Sequence, residues 1–517
     1  MIDFTLNGRA CRLPSPAPGT SVLEVLRTSL GQDGTKEGCA SGDCGACTIA
    51  LQGPGHNVST ANACLMPAHQ LAGCDLITVE GLADASQAPT LSAVQQALVS
   101  THASQCGFCT PGIAMSLAVL HARHQRQIDQ GEVIDARQRD TMIDHALGGN
   151  LCRCTGYRPI REAAHRLLQG EFGPASLQDA GVTTAEAHDT APDDEQDTAP
   201  DDEQDTGRFY RPVTLQALLA LRAERPDAAL IAGGTDLMLE HTQRLRDFPA
   251  LIDTTQVAAL GKIEEGEHAG QAGWWIGAAV SYHQLMPLLR EHYPDGAELL
   301  TRLGSEQIRH RGTLGGNIGN ASPIGDMPPL LIALDAYIQL MSQDNERILK
   351  LEDYFLDYKR TQLMPDEIIL SVFLPRPLPN QRLAVHKLSK RRDDDISTLL
   401  GVFAWRRDAS GRAQHWRVAF GDMAGVPARA PHLEALLTLQ ALESLTPARL
   451  TAQTRQQIEQ AVQADFSPLS DVRGSREYRL LAASHLIPRV AQRILNERQP
   501  TTSLTPLESL DAYLAQS

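Results

Sequence analysis

Beyond position 154 the chain has no cysteine, although it runs to 517 residues and carries ten of them. A disulfide framework belongs to small exported folds, so this distribution counts against one. Aromatic residues make up only 4% of the sequence, which predicts cores packed mainly by aliphatic side chains. No uninterrupted apolar run reaches the roughly 18 residues of a membrane helix, so no membrane partner is expected. The opening MIDFTLNGRACRL has no positive stretch followed by an apolar core and predicts no secretory signal. Basic residues are in the minority: 46 Lys and Arg against 62 Asp and Glu leave a formal charge of −16. Phosphate binding needs a basic surface, so nucleic acid is excluded as a partner. The balance suits a cytoplasmic protein, and the length allows roughly three domains.

What the chain does have is thiols in ligand patterns. Cys39-x4-Cys44-x2-Cys47 is followed by Cys64, and Cys106-x2-Cys109 by Cys152-x-Cys154. The first three spacings match the plant-type ferredoxin pattern for a 2Fe–2S cluster. Structural zinc sites show two short pairs instead. Gly38, Gly42 and Gly45 punctuate this loop. Glycine permits positive φ and close backbone approach, so N–H groups can turn toward sulfur. The second quartet alone is ambiguous: it could hold zinc or iron and sulfide, or Cys106 and Cys109 could form a redox dithiol. Beside the first, iron–sulfur is the preferred reading. Two clusters imply single-electron transfer. Cys11 and Cys74 are left over and read as small buried hydrophobes.

The pattern changes along the chain. In residues 1–82, Ile2, Phe4 and Leu6 alternate at strand period and Asn7-Gly8 marks a hairpin. Ser21 to Leu30 reads as a helix, and Thr48–Leu51 and Leu76–Val79 as strands. Residues 83–168 turn helical: Leu91, Val94 and Leu98 share a face, Pro111 opens a helix through His121, and another runs from about Pro159 to Gln169. Residues 169–207 hold the tandem repeat TAPDDEQD, Thr190–Asp197 and Thr198–Asp205. Acidic and poor in large apolar residues, this segment is predicted to be a disordered linker. Mixed α and β patterning follows in 208–378. In 379–517, Thr398–Trp405 and His415–Phe420 read as strands, and Pro431–Leu439 and Leu480–Asn496 as helices.

Leu230-Ile231-Ala232-Gly233-Gly234-Thr235-Asp236-Leu237 reads as strand, glycine turn and helix-like sequence. Thr313-Leu314-Gly315-Gly316-Asn317-Ile318 is a second glycine turn. Such turns let several backbone N–H groups meet a pyrophosphate. Neither G-x-G-x-x-G nor a Walker A motif is present, so a Rossmann or P-loop site is not supported.

EGCASGDCGAC (37–47), QCGFCTPG (105–112) and GNLCRCTGY (149–157) together resemble the iron–sulfur part of the molybdenum hydroxylases. The glycine turns and DVRGSREYR (471–479) resemble that family's flavin half. The resemblance implies a multidomain α+β chain. It would comprise a ferredoxin-like β-grasp domain, a small helical iron–sulfur domain, a two-subdomain non-Rossmann FAD-binding domain and an α+β C-terminal flavoprotein domain. It implies that Leu230–Leu237 with Thr313, Gly315, Gly316 and Asn317 bind the FAD pyrophosphate region. Asp326, Ile369 and Lys387 fall at further FAD positions, Lys390–Ser397 resembles the charged stretch near the flavin ring, and Gln105 would contact the pterin.

Nothing in this chain is left to encode a molybdopterin module. A separate large molybdopterin subunit is therefore expected, as a heterodimer paired into a heterotetramer. The module order resembles the xanthine dehydrogenase branch. There, purines are hydroxylated on the partner and electrons pass through two clusters and FAD to NAD⁺. An equivalent component of a hydroxylase acting on aldehyde, nicotinate, carbon monoxide or an aromatic thioester is an alternative. So is a non-enzymatic zinc-binding scaffold. Oxygen or ferredoxin could replace NAD⁺ as acceptor. No side chain is expected to act as nucleophile or general base.

Overall fold

The computed structural model describes residues 1–53, 57–83, 91–177, 208–409, 412–440 and 442–496. The acidic repeat expected to be a linker lies outside the described residues. The chain just before it does not drift free: Leu177 is 6% exposed and packs on the helical core, because Phe172, Ala175 and Leu177 supply apolar contacts.

The first unit is a five-stranded sheet of β1 (Ile2–Leu6), β2 (Arg9–Leu13), β3 (Thr48–Gln52), β4 (Ser59–Asn62) and β5 (Asp75–Ile77), with helix α1 (Val22–Thr28) packed against it. Its order is β2-β1-β5-β3-β4, with β1 and β5 parallel. The hairpin turn at Asn7 and Gly8 has both φ values positive, as a two-residue turn of the right twist requires. Ser21 and Glu24 form a capping box that starts α1. The strand expected to reach Val79 stops at Ile77, where Asn7 Oδ1 accepts from the Thr78 N–H and the chain enters a 3₁₀ turn.

Four helices follow: α2 (Ala93–Ser100), α3 (Thr110–Asp129), α4 (Ala136–Leu147) and α5 (Arg158–Leu168). The helix expected to end at His121 runs two turns further, and α4 was not anticipated. The fully buried side chains of this core are aliphatic or small, as the aromatic scarcity predicts.

The third unit has two sheets. One is parallel, β6 (Arg208–Tyr210), β7 (Ala229–Ile231) and β8 (Ala250–Asp253) in the order β6-β8-β7, with α6 (Leu215–Glu224) and α7 (Leu239–Thr242). The other is antiparallel, in the order β12-β11-β15-β10-β9. It comprises β9 (Ile263–His268), β10 (Gln271–Gly277), β11 (Tyr337–Met341), β12 (Glu346–Lys350) and β15 (Ile368–Pro375). A small hairpin of β13 (Phe355–Asp357) and β14 (Arg360–Thr361) lies between. Six helices accompany them: α8 (Tyr282–His292), α9 (Pro294–Thr301), α10 (Glu306–Arg311), α11 (Leu314–Gly319), α12 (Met327–Ala333) and α13 (Leu351–Tyr354).

The last unit is a meander of β16 (Gln381–Leu388), β17 (Leu399–Arg407), β18 (Ala413–Gly421) and β19 (Ala428–Arg429) with α14 (Pro431–Leu439), α15 (Leu442–Leu445), α16 (Ala452–Asp465) and α17 (Arg476–Asn496). Strand β16 and helix α16 add to the elements expected here. Aromatics pair within this core: Phe403 and Phe420 meet edge to face at 5.7 Å, and Trp405 packs on Trp416 at 5.6 Å.

One feature of packing positions everything else. The hydrophobic core of the first sheet continues into Ile231, Met238 and Leu251 on and around β7 and β8. The thiol-bearing sheet and the first glycine turn therefore share one core.

Candidate functional site: two thiol quartets and a glycine-lined cavity

Cys39, Cys44 and Cys47 lie on the loop between α1 and β3, and Cys64 follows β4. The loop reverses at Ala40, Gly42 and Gly45, with φ of 51°, 82° and 64°. Those reversals turn backbone amides inward: the N–H groups of Ser41 and Cys44 donate to Cys39 Sγ at 3.4 and 3.3 Å. The thiols stand in pairs. Cys44 bonds to Cys39, and Cys47 Sγ lies 3.3 Å from Cys64 Sγ. Within each pair the hydrogen bond favours the thiolate of one partner and the thiol of the other. The bond from Cys44 holds Cys39 down at about 4, while the same bond pushes Cys44 up. Cys47 is lowered by Cys64, and Cys64 raised by Cys47.

In the second quartet Cys109 caps α3, and Cys152 and Cys154 precede α5. Cys109 pairs with Cys152, and Cys106 with Cys154. Burial, then the Cys152 bond, pushes Cys109 up to about 12. Burial opposes the Cys152 thiolate, yet hydrogen bonds led by that from Thr155 bring it down. Tyr157, at φ 65°, places its hydroxyl to accept from the Cys152 N–H at 2.8 Å.

Among the described residues no three thiol, imidazole or carboxylate groups already surround a single point. Each quartet supplies the four thiols that a binuclear iron–sulfur cluster takes as ligands, two for each iron. Cys47 and Cys64 are buried, whereas Cys106 and Cys154 are exposed. Gln105 is exposed beside Cys106, and Phe108 and Leu151 expose 48% and 44% of their surface nearby. Cys11 and Cys74 are half-buried against the first core.

A cavity of about 650 Å³ opens between the turn after β7 and helix α11, within the usual range for ligand pockets. Leu230, Ile231, Ala232, Gly233, Gly234, Thr235, Asp236 and Leu237 line it, as do Thr313, Gly315, Gly316, Asn317 and Ile369. Among the described residues, no hydrogen bond involves the backbone N–H groups of Gly233, Gly234, Thr235, Asp236 or Leu237. Consecutive free amides at a glycine turn form a cradle for an anion such as pyrophosphate. Asn317 adds a buried Oδ1 with no partner. The cavity therefore fits a dinucleotide.

At three of the expected positions the structure adds local detail. The second glycine turn is the start of helix α11, capped by Thr313, and its amides are already bonded: Gly315 to Ala278, Gly316 to Thr313 Oγ1, Asn317 to Thr313. Glycine is required at 315 for packing, since a Cβ would lie 2.4 Å from that of Ala278. Asp326 and Lys387 do not line the cavity. Lys387 Nζ bonds to Asp326 Oδ2 at 2.7 Å in a buried ion pair, because each finds its counter-charge in the other rather than in open space. Tyr282, Asn320 and Lys359 line the cavity without having been anticipated; their placement depends on chain segments far from the turn.

The elements of the site touch. Leu151, next to Cys152, donates its N–H to the carbonyl of Cys44 at 2.9 Å. A Cβ on Gly234 would lie 2.6 Å from the carbonyl of Leu65, the residue after Cys64. One continuous path joins exposed Cys106, the two quartets and the cavity.

Fold and site together define an iron–sulfur flavoprotein. Four family models match in sequence order. They are the 2Fe–2S iron–sulfur cluster binding domain (residues 4–69), a 2Fe–2S binding domain (78–165), the FAD binding domain in molybdopterin dehydrogenase (204–377), and the CO dehydrogenase flavoprotein C-terminal domain (384–494). The chain belongs to the molybdenum hydroxylase family, whose two 2Fe–2S domains and FAD-binding domain it carries. It is 32% identical over 499 residues to xanthine dehydrogenase of Drosophila subobscura, across 86% of this chain and 36% of that protein. With xanthine dehydrogenase 2 of Arabidopsis thaliana it shares 31% identity over 501 residues, across 84% of this chain and 36% of that one. The chain thus spans about 36% of the length of the curated relatives it matches. Among solved structures, reconstituted CO dehydrogenase from Oligotropha carboxidovorans superposes with a TM-score of 0.50 at 25% identity, covering 56% of this chain and 97% of that one. Among the described residues no helix is long and apolar enough to cross a membrane.

Proposed function

We propose that this chain is the electron-transfer component of a xanthine dehydrogenase, working with a large molybdopterin-binding partner that oxidises hypoxanthine and xanthine to urate. The observation that carries the reading is the run of cluster, cluster and flavin domains on one polypeptide, similar over 499 residues to xanthine dehydrogenase of Drosophila subobscura. When bound, the clusters carry electrons singly, and FAD collects two and can return them as a hydride to NAD⁺. The chain itself binds, orients and tunes. Cys39, Cys44, Cys47 and Cys64 hold one cluster, with the Ser41 and Cys44 amides tuning the first thiolate. Cys106, Cys109, Cys152 and Cys154 hold the other. The free amides of Gly233–Leu237 hold the FAD pyrophosphate, and Ile369 packs beside it. The exposed rim of Gln105, Cys106, Phe108 and Leu151 is the docking face for the partner, with Gln105 toward the pterin. The complex is a heterodimer, paired into a heterotetramer.

A second reading has its own support. The C-terminal match to a CO dehydrogenase flavoprotein domain and the CO dehydrogenase superposition favour another hydroxylase of the family, with a different substrate on the partner.

The test is direct. Purified chain should contain iron, acid-labile sulfide and FAD, and oxidise NADH with an artificial dye. Xanthine should turn over only once the partner is added. Absence of iron, or xanthine turnover by the chain alone, overturns the proposal.

A further inference from the structure

Three backbones meet at Gly45. A Cβ there would lie 2.1 Å from the carbonyl oxygen of Gly149, and one on Gly112 would lie 2.1 Å from the carbonyl oxygen of Gly45. The loop of the first quartet thus touches both the start of α3 and the loop of the second quartet. What locks this contact is a buried polar cluster. Thr48, Ser116 and Asn150 are each 2% exposed and Gln307 is 1% exposed.

Asn150 is its centre. Nδ2 donates to the Gly45 carbonyl at 3.1 Å and to Thr48 Oγ1 at 3.4 Å. Oδ1 accepts from Ser116 Oγ at 2.7 Å and from Gln307 Nε2 at 3.4 Å. Both donors and both lone pairs of the amide are used, and no other side chain of that size offers two of each. Gln307 Nε2 also reaches Thr48 Oγ1 at 3.1 Å and Ser116 Oγ at 3.3 Å, so α10 of the flavin unit closes the cluster. Gly149 leaves room for this amide, since a Cβ there would lie 2.5 Å from Gln307 Oε1. The next residue, Leu151, makes the hydrogen bond to Cys44. Burying four polar side chains where apolar ones would pack is costly unless directional bonds fix a geometry that packing alone leaves loose.

We propose that Asn150, clamped by Ser116 and Gln307, is the positioning residue that holds the two cluster loops in register and so sets the rate at which an electron crosses between them. The inference rests on the iron–sulfur reading given above.

The test uses the full chain with its iron and flavin. Asn150→Leu keeps the branched shape and heavy-atom count and removes every bond; Gln307→Met removes only the clamp from the flavin unit. Two nearby paramagnetic clusters split each other's electron paramagnetic resonance signals when both are reduced, and that splitting reports their mutual geometry. In Asn150→Leu with a full iron complement the splitting should change. Delivery of an electron to the second cluster after NADH reduces the flavin should slow by about tenfold or more, since a misplacement of about 1 Å can cost on the order of 10²-fold. Gln307→Met should shift both in the same direction by less. A parent-like splitting and rate in Asn150→Leu overturn the proposal. If that variant fails to retain iron, parent-like values in Gln307→Met overturn it. A parent chain without two distinct cluster signals would instead defeat the iron–sulfur reading itself.

Discussion

At Gly233 the chain passes so close to Arg311 that a methyl group would lie 1.9 Å from its carbonyl oxygen. Gly233→Ala must therefore displace the turn. It should abolish flavin retention while iron stays at the parent level, measured by flavin absorbance and iron content; normal flavin occupancy would refute the cradle. Cys106 is exposed, as is its pair partner Cys154. Cys106→Ser should remove one cluster signal and block electron flow from partner to NAD⁺, yet leave NADH–dye activity largely intact. Loss of both activities in a folded variant would count against the assignment. The first quartet's pattern was legible because a cluster loop is local: three of its four cysteines fall within nine residues. Asn150 was not, since its partners lie 34 to 157 residues away.

Between elements, the clearest case is the joint of β16 and the start of α12. Lys387 Nζ bonds to Asp326 Oδ2 and also to the Arg302 carbonyl at 3.1 Å, while Ser397 Oγ donates to Asp326 Oδ1 at 2.6 Å. Removing one partner of a buried pair leaves an uncompensated charge. Lys387→Met should cost about 3–5 kcal/mol by denaturant unfolding of the flavin-side domains. A loss below about 1 kcal/mol would show the pair to be no more than surface-like. The resemblance placed both residues near the flavin, and only the packing of β16 against the start of α12 could show them bonded to each other. Helices α4 and α16 escaped the sequence for a different reason. Helix α4 buries just Ile143, Ala146 and Leu147 among twelve mostly polar residues, so its apolar stripe is too short to register. Its start was nonetheless written locally, as a capping box of Asp135 and Gln138.

Across the whole molecule, burial has set several histidines to be neutral. Desolvation lowers His69, His121 and His386 to about 4 and His310 to about 3, from an ordinary 6.5. Their folded values lie below their unfolded ones, so the unfolded chain gains protons first as pH falls. Stability is then complete above about pH 6.5 and drains toward about pH 4, by up to about 1.4 kcal/mol per pH unit for each histidine. The melting temperature should fall clearly between pH 7 and pH 5; an unchanged value would show that these rings are wetter than the structure has them. On its own, the sequence determined the local chemistry: eight thiols at ligand spacing, a glycine turn after a strand, and the helical or mixed α and β character of each unit. Those features depend on residues near one another in the chain, where spacing and backbone freedom dictate the outcome. The tertiary structure decided which thiols pair, which of two glycine turns keeps free amides, and that Cys44, Leu151, Leu65 and Gly234 lie along one path. Those facts arise when separate cores close on each other, and no local pattern encodes the distance between them.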